Sequence, residues 1–243
     1  MDRRQVLLGA ISVLSAGRAD AQSNPMRDGF FPRNAPAPQA ILYETPVAQV
    51  RFVLDRSNPR QPLLRFEGEN EIWALSVVRG PRGDDILKTD TDETLLRITA
   101  LGGVTLYGPE GELGAPAAVV SRARPFTSPN GGDGSLAAVQ ARVIGAARRG
   151  LDRRVIVEAP ERLPVAFLSD AARRVEDALE AAARGPRRRG LLRMRAVRFE
   201  QARESFAAFD GALLRVGLAP SLSYAGRPSS KAVRAALEAA RRA

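Results

Sequence analysis

The chain has no cysteine and no histidine. Without thiols there is no disulfide to staple the fold and no thiolate to bind a metal. Without imidazole the commonest nitrogen ligand and the usual acid–base group at neutral pH are both missing. Of the familiar routes to enzyme chemistry this leaves a pair of carboxylates or a serine with a lysine base. Lysine is nearly absent as well: Lys88 and Lys231 are the only two, and no Ser-x-x-Lys occurs. Long apolar runs are missing too, since a spanning helix needs about 20 apolar residues and the stretch from Val6 to Leu14 falls well short of that.

What is present is a 243-residue chain, 44% hydrophobic and 26% charged, long enough to bury a real core as one large domain or two small ones. The net charge of +10 is unevenly distributed. Residues 1–134 carry 15 basic and 16 acidic side chains, whereas residues 135–243 carry 22 and 11. The excess is arginine, whose planar fork suits carboxylates and phosphates. A general preference for arginine on solvated faces accounts for the same composition without any ligand.

The first 21 residues have the layout of an export signal. Arg3-Arg4 form the charged start, Val6 to Leu14 the apolar stretch, and Ala19-Asp20-Ala21 a small-residue cleavage site. Arg3-Arg4-Gln5-Val6-Leu7 resembles the twin-arginine motif, with Asp2 where a hydroxyl residue is usual; an ordinary secretory signal is the alternative. The expected location is therefore periplasmic or secreted. Residues 22–46 hold five prolines and read as an extended tether.

From 47 to 121 the pattern is that of strands. Leu64 and Phe66 alternate with Arg65 and Glu67, Ile72 to Val78 is nearly continuous, and Leu96 and Ile98 alternate with Arg97 and Thr99. Gly102-Gly103 suits both central positions of a two-residue type I′ hairpin. Residues 122–134 end in Ser128-Pro129-Asn130-Gly131-Gly132-Asp133-Gly134 and read as a linker. In 135–243 the period becomes helical. Ser135 caps a helix with Val139 and Val143 inward, a second helix starts at Ser169 and stops at Gly185-Pro186, and Ser229 or Ser230 opens a third. Val155 to Val157 is a short strand. Phe206 to Leu218 is a hairpin around Asp210-Gly211, and the apolar phase slips near Ala196 in the manner of a bulge. The fold class is thus α+β: an N-terminal antiparallel β-meander of six or seven strands, then three helices with a small sheet.

Pro81-Arg82-Gly83-Asp84, Leu96-Arg97-Ile98-Thr99, Leu101-Gly102-Gly103-Val104-Thr105 and Tyr224-Ala225-Gly226-Arg227-Pro228-Ser229-Ser230 resemble an uncharacterised family of exported bacterial proteins, a domain of unknown function of similar length. The resemblance covers most of the mature chain. It implies no activity, substrate or catalytic residue.

Arg82-Gly83-Asp84 spells an adhesion tripeptide, in a context that is ordinary turn composition. Asp84, Asp85, Asp90, Asp92 and Glu93 could gather at hairpin ends as calcium ligands, but their spacing is not that of an EF-hand. Asn130 to Ser135 precedes a helix yet lacks the lysine of a phosphate loop. No cofactor or metal is implied, and no catalytic residue stands out. The positions singled out for anion binding are Arg187, Arg188, Arg189, Arg193, Arg195 and Arg198. With Leu192 and Met194 inward, Arg193 and Arg195 share the outer face of an edge strand, where they also guard against aggregation. The expected function is a non-catalytic binding or structural module for an anionic envelope component: lipid head groups, lipopolysaccharide or peptidoglycan, not nucleic acid. A carboxylate-dependent periplasmic hydrolase is the alternative.

Replacing Arg3-Arg4 by Lys-Lys should strand the precursor in the cytoplasm if the twin-arginine route is used, because that route reads the guanidinium pair. Normal export of the variant, followed by cell fractionation, would assign the general secretory route instead.

Overall fold

The structure, a computed structural model, describes residues 39–46, 49–108, 111–127, 134–186 and 188–239. The stretch expected to be an export signal and most of the expected tether lie outside the described residues. Nine strands come first: β1 Ala40–Thr45, β2 Val50–Asp55, β3 Leu63–Phe66, β4 Trp73–Ala74, β5 Ser76–Arg79, β6 Asp85–Lys88, β7 Thr94–Ile98, β8 Val104–Gly108 and β9 Gly111–Arg122. They form one antiparallel sheet in the order β4-β3-β2-β1-β9-β8-β7-β6-β5. The two ends of that order are consecutive in the chain, separated by Leu75 alone. The segment Trp73–Arg79 therefore pairs with β3 over its first half and with β6 over its second, and the meander curls into a nearly closed barrel.

Strand alternation fills the barrel. Phe52, Leu54, Leu64, Leu75, Leu87, Leu96, Ile98, Val104 and Leu106 are buried in one cluster, and Tyr43 stacks on Phe52 with ring centroids 5.4 Å apart. A ring of about eight strands is just wide enough for side chains to occupy its interior.

Two expectations are corrected here. The strand count is nine, not six or seven, because Ala40–Thr45 is not tether but a strand flanked by β2 and β9, and because the run from Ile72 to Val78 breaks at Leu75. The turn at Gly102-Gly103 is wider than two residues. Gly102 N–H donates to the Thr99 carbonyl at 2.8 Å and Thr99 N–H to the Gly103 carbonyl at 2.9 Å, with only Gly102 at positive φ (88°). That is a type I turn followed by a left-handed residue, the common alternative to the two-residue turn.

The remainder is a layer of helices on a four-stranded sheet. Helix α1, Leu136–Leu151, is capped by Ser135, whose hydroxyl accepts from Ala138 N–H at 3.1 Å. After β10, Ile156–Glu158, come α2, Val165–Arg184, and the short α3, Arg188–Leu191. Then follow β11, Ala196–Gln201, the hairpin β12, Phe206–Phe209, with β13, Leu213–Leu218, and finally α4, Ser230–Ala239. Helix α2 starts four residues before the expected Ser169, because Phe167 and Leu168 already belong to its buried face. The sheet order is β10-β11-β13-β12, with β10, β11 and β13 parallel.

Strand β11 is consequently interior, not the edge strand expected from the sequence. Leu192 to Arg195 form a turn ahead of it, so the phase slip near Ala196 is the point where the strand begins and not a bulge. The edge at β10 is protected by other means: it is three residues long, and the Val157 carbonyl accepts from the Gln140 side-chain amide at 3.2 Å.

Residues 38–243 form one compact unit, yet the buried apolar residues fall into two clusters, one inside the barrel and one between α1, α2, α4 and the small sheet. The expected linker is anchored over its first part: Ala123 N–H donates to the Ala40 carbonyl at 3.0 Å and Phe126 N–H to Asp55 Oδ2 at 2.6 Å. Residues 128–133 of it lie outside the described residues. Leu96→Ala in the barrel should cost about 2–5 kcal/mol. It should also lower one shared thermal transition, followed by Trp73 fluorescence for the barrel and far-UV dichroism for the helices. Two separate midpoints would mean that the halves unfold independently.

Candidate functional site

The barrel and the helical half meet at a seam of buried charges. Glu71, in the loop before β4, and Asp90, in the turn between β6 and β7, both reach the start of α4. Asp90 accepts from Ser229 N–H at 2.7 Å and from its hydroxyl at 2.6 Å, while that hydroxyl in turn accepts from Ala232 N–H at 3.0 Å. One serine thus caps its own helix and binds the barrel, because a hydroxyl donates and accepts at once. Glu71 accepts from Ser230 N–H at 2.9 Å and from the Ser230 hydroxyl. Two carboxylates at a helix N-terminus also oppose the positive end of its dipole.

Two buried arginines complete the seam. Arg227 donates to Asp170 of α2 and, at 2.9 Å, to the backbone carbonyl of Ile72; it lies 3.8 Å from Glu71 and under the Tyr224 ring. Arg174 of α2, 2% exposed, lies 3.4 Å from Glu71, 3.3 Å from Asp177 and 3.9 Å from Asp170, and its Nε has no acceptor among the described residues. Removal from water pushes the carboxyl groups of Glu69 and Asp177 above the ordinary range, with the charge of Glu71 adding to both and Arg174 opposing. Beside the seam is a cavity of about 230 Å³ whose walls include Trp73, Leu75, Tyr224 and Arg227. Its one acidic lining residue, Asp90, has both oxygens engaged by Ser229.

The acidic residues considered as calcium ligands are dispersed. Asp84 is held by Arg97 Nε at 2.7 Å and by Ala100 N–H, Asp85 by Arg56 and Arg79, Asp90 by Ser229, Asp92 by Lys88 and Glu93 by Lys231. The bond from Arg97 holds the Asp84 carboxyl below its ordinary range. Asp84 is also buried: it follows a 3₁₀ turn, Pro81–Gly83, and its acid is held by Arg97 of β7, so Arg82-Gly83-Asp84 is not a protruding adhesion loop. Among the described residues no cluster of acids has the geometry of a metal site. Of Asn130 to Ser135, Gly134 and Ser135 are described and Ser135 serves as the α1 cap.

The arginines singled out by sequence are exposed. Arg188 and Arg189 lie in α3, and Arg193 and Arg195 in the segment between α3 and β11; Arg187 is outside the described residues. None of these four makes an ion pair with a described residue, whereas Arg198 is paired with Glu158 on β10 at 2.6 Å. Because β10 and β11 are parallel, the residues just before each strand lie at one end of the sheet. Ile156 N–H donates to the Arg195 carbonyl at 2.9 Å, which brings Arg153 and Arg154 to the same end.

The seam was not anticipated from the sequence, but one signal for it was present. Arg174 falls on the apolar stripe of α2, between Ala171 and Ala178 and beside Val175. An arginine at such a position must find buried acceptors. Glu71→Ala should therefore cost about 3–5 kcal/mol, since it leaves two arginines in the seam without their shared counter-charge. Adding Arg174→Met should recover part of that loss in a double-mutant cycle read by denaturant unfolding. Strict additivity would show that the pair is uncoupled.

Comparison with curated proteins and with solved structures found no match. A family model described as Domain of unknown function (DUF4908) matches residues 25–237, a span that takes in the barrel, the seam and the four motifs noted in the sequence. The chain belongs to that family, DUF4908.

Proposed function

We propose that this chain is an exported, non-catalytic module that binds an anionic component of the cell envelope through one end of its helical half. The observation that carries this reading is the convergence of Arg153, Arg154, Arg188, Arg189, Arg193 and Arg195, all exposed and all without an ion pair to described residues, at the end where β10 and β11 begin. Asp152 and Asp210 are the acids of the adjoining turns, and Asp210 is already engaged by the backbone N–H groups of Ala212 and Leu213. No described residue forms an ion pair with this positive charge, and guanidinium groups suit phosphate and carboxylate partners.

The hydrolase alternative needs two carboxylates facing each other across a cleft with room for substrate. Of the acids that converge, Glu71, Asp90 and Asp170 are bound to serines and arginines of the seam and Asp177 is paired with Arg174, with Glu69 beside Glu71. Their arrangement favours cohesion over catalysis.

Binding through exposed charge falls with salt, as screening acts over roughly 10 Å at 0.1 M ionic strength. Each basic residue near an anionic surface contributes about 1 kcal/mol. Changing Arg193 and Arg195 to Gln should therefore reduce retention on anionic vesicles or purified cell wall by roughly thirtyfold at low salt. Arg198→Gln, whose partner is Glu158, should have little effect. Equal retention of all three proteins would leave these arginines as solvated surface.

A further inference from the structure

The arginine end carries an apolar residue that electrostatics alone does not explain. Ile156, the first residue of β10, is 66% exposed. It is in register with Ala196 of β11, and Ala196 with Leu213 of β13. Residues paired across a sheet point to the same face. Their chain neighbours Val157, Val197 and Leu214 fill the buried face. Ile156, Ala196 and Leu213 therefore make an apolar row on the open face, at the rim where the unpaired arginines lie.

Soluble polyanions and wall polymers offer charge, but nothing that gains from an exposed isoleucine. A bilayer surface offers both: phosphates at the level of the head groups and acyl chains a few ångströms below. We propose, building on the anion-binding reading above, that this end of the helical half docks on an anionic phospholipid surface, with Ile156 entering between head groups and the arginines engaging the lipid phosphates. Charge complementarity selects anionic over zwitterionic lipid, and the position of Ile156 within the arginines sets the orientation of the module.

The chain has no cysteine, so a single introduced one is unique. Ile156→Cys, labelled with an environment-sensitive fluorophore, should shift to the blue on vesicles of phosphatidylglycerol and phosphatidylcholine and be quenched by brominated acyl chains. The same label at Leu101→Cys, in the β7–β8 loop of the barrel, should not respond. Ile156→Ser should partition roughly five- to tenfold less onto these vesicles, keep the wild-type thermal midpoint, and bind immobilised inorganic polyphosphate as wild type does. Undiminished vesicle binding by Ile156→Ser, or a label that stays in water while the protein binds, would overturn insertion and leave the anion-binding reading standing. Failure of the wild-type chain to bind either vesicles or polyphosphate would overturn both.

Discussion

Glu71 is the residue on which the assembly of this molecule turns. It lies 6% exposed between the guanidinium groups of Arg174 and Arg227 and at the first residues of α4. A carboxylate in that position is costly unless its lone pairs are filled, and an arginine as deeply buried is costly unless it faces a carboxylate. The helical half supplies Asp170 and Asp177 to its own arginines, but the donors that satisfy Glu71 and Asp90 come from across the seam. The barrel brings Glu71, Asp90 and the Ile72 carbonyl, while the helical half brings Arg174, Asp170, Arg227 and the two serines. Apolar burial holds each half together, but directional polar bonds fix how one half meets the other.

This division explains what could be read from the sequence. Period-2 and helical alternation report a local apolar face, so the meander, the Ser135 cap, the hairpin around Asp210 and the stop of α2 at Gly185 were legible residue by residue. The barrel's closure was less so. Ala40–Thr45 follows a proline-rich stretch and ends at Pro46, and only its pairing with β2 and β9 identifies it as a strand. The position of β11 was not legible, because the neighbours of a strand are set by long-range pairing and not by its own alternation. Of the seam, the serines were read as a cap and Tyr224 to Ser230 as a recurring phrase. Their acidic partners 139 and 159 residues away have no local signature.

The barrel itself is filled. Leu87, Leu96, Phe52 and Leu64 meet inside with no exposed area, so it serves as a rigid block and not as a container. A ligand is therefore not held inside the barrel, and on the outside the two halves differ in charge. The helical half has arginines without a partner among the described residues, while Asp84, Asp85, Asp92 and Glu93 at the barrel's hairpin ends each have one.

The seam also orders the chain's own manufacture. A ribosome delivers the barrel first, with Glu71 and Asp90 in place but their donors at Ser229 and Ser230 still to be made. The donors lie 139 and 159 residues after the acids they meet, so the two carboxylates at the barrel's rim gain their partners only once the region around α4 has been made. The stretch that begins at Ser229 thus acts as a latch, and a chain that stops before it holds every strand of the barrel but lacks α4 and the groups that fasten α4 to it.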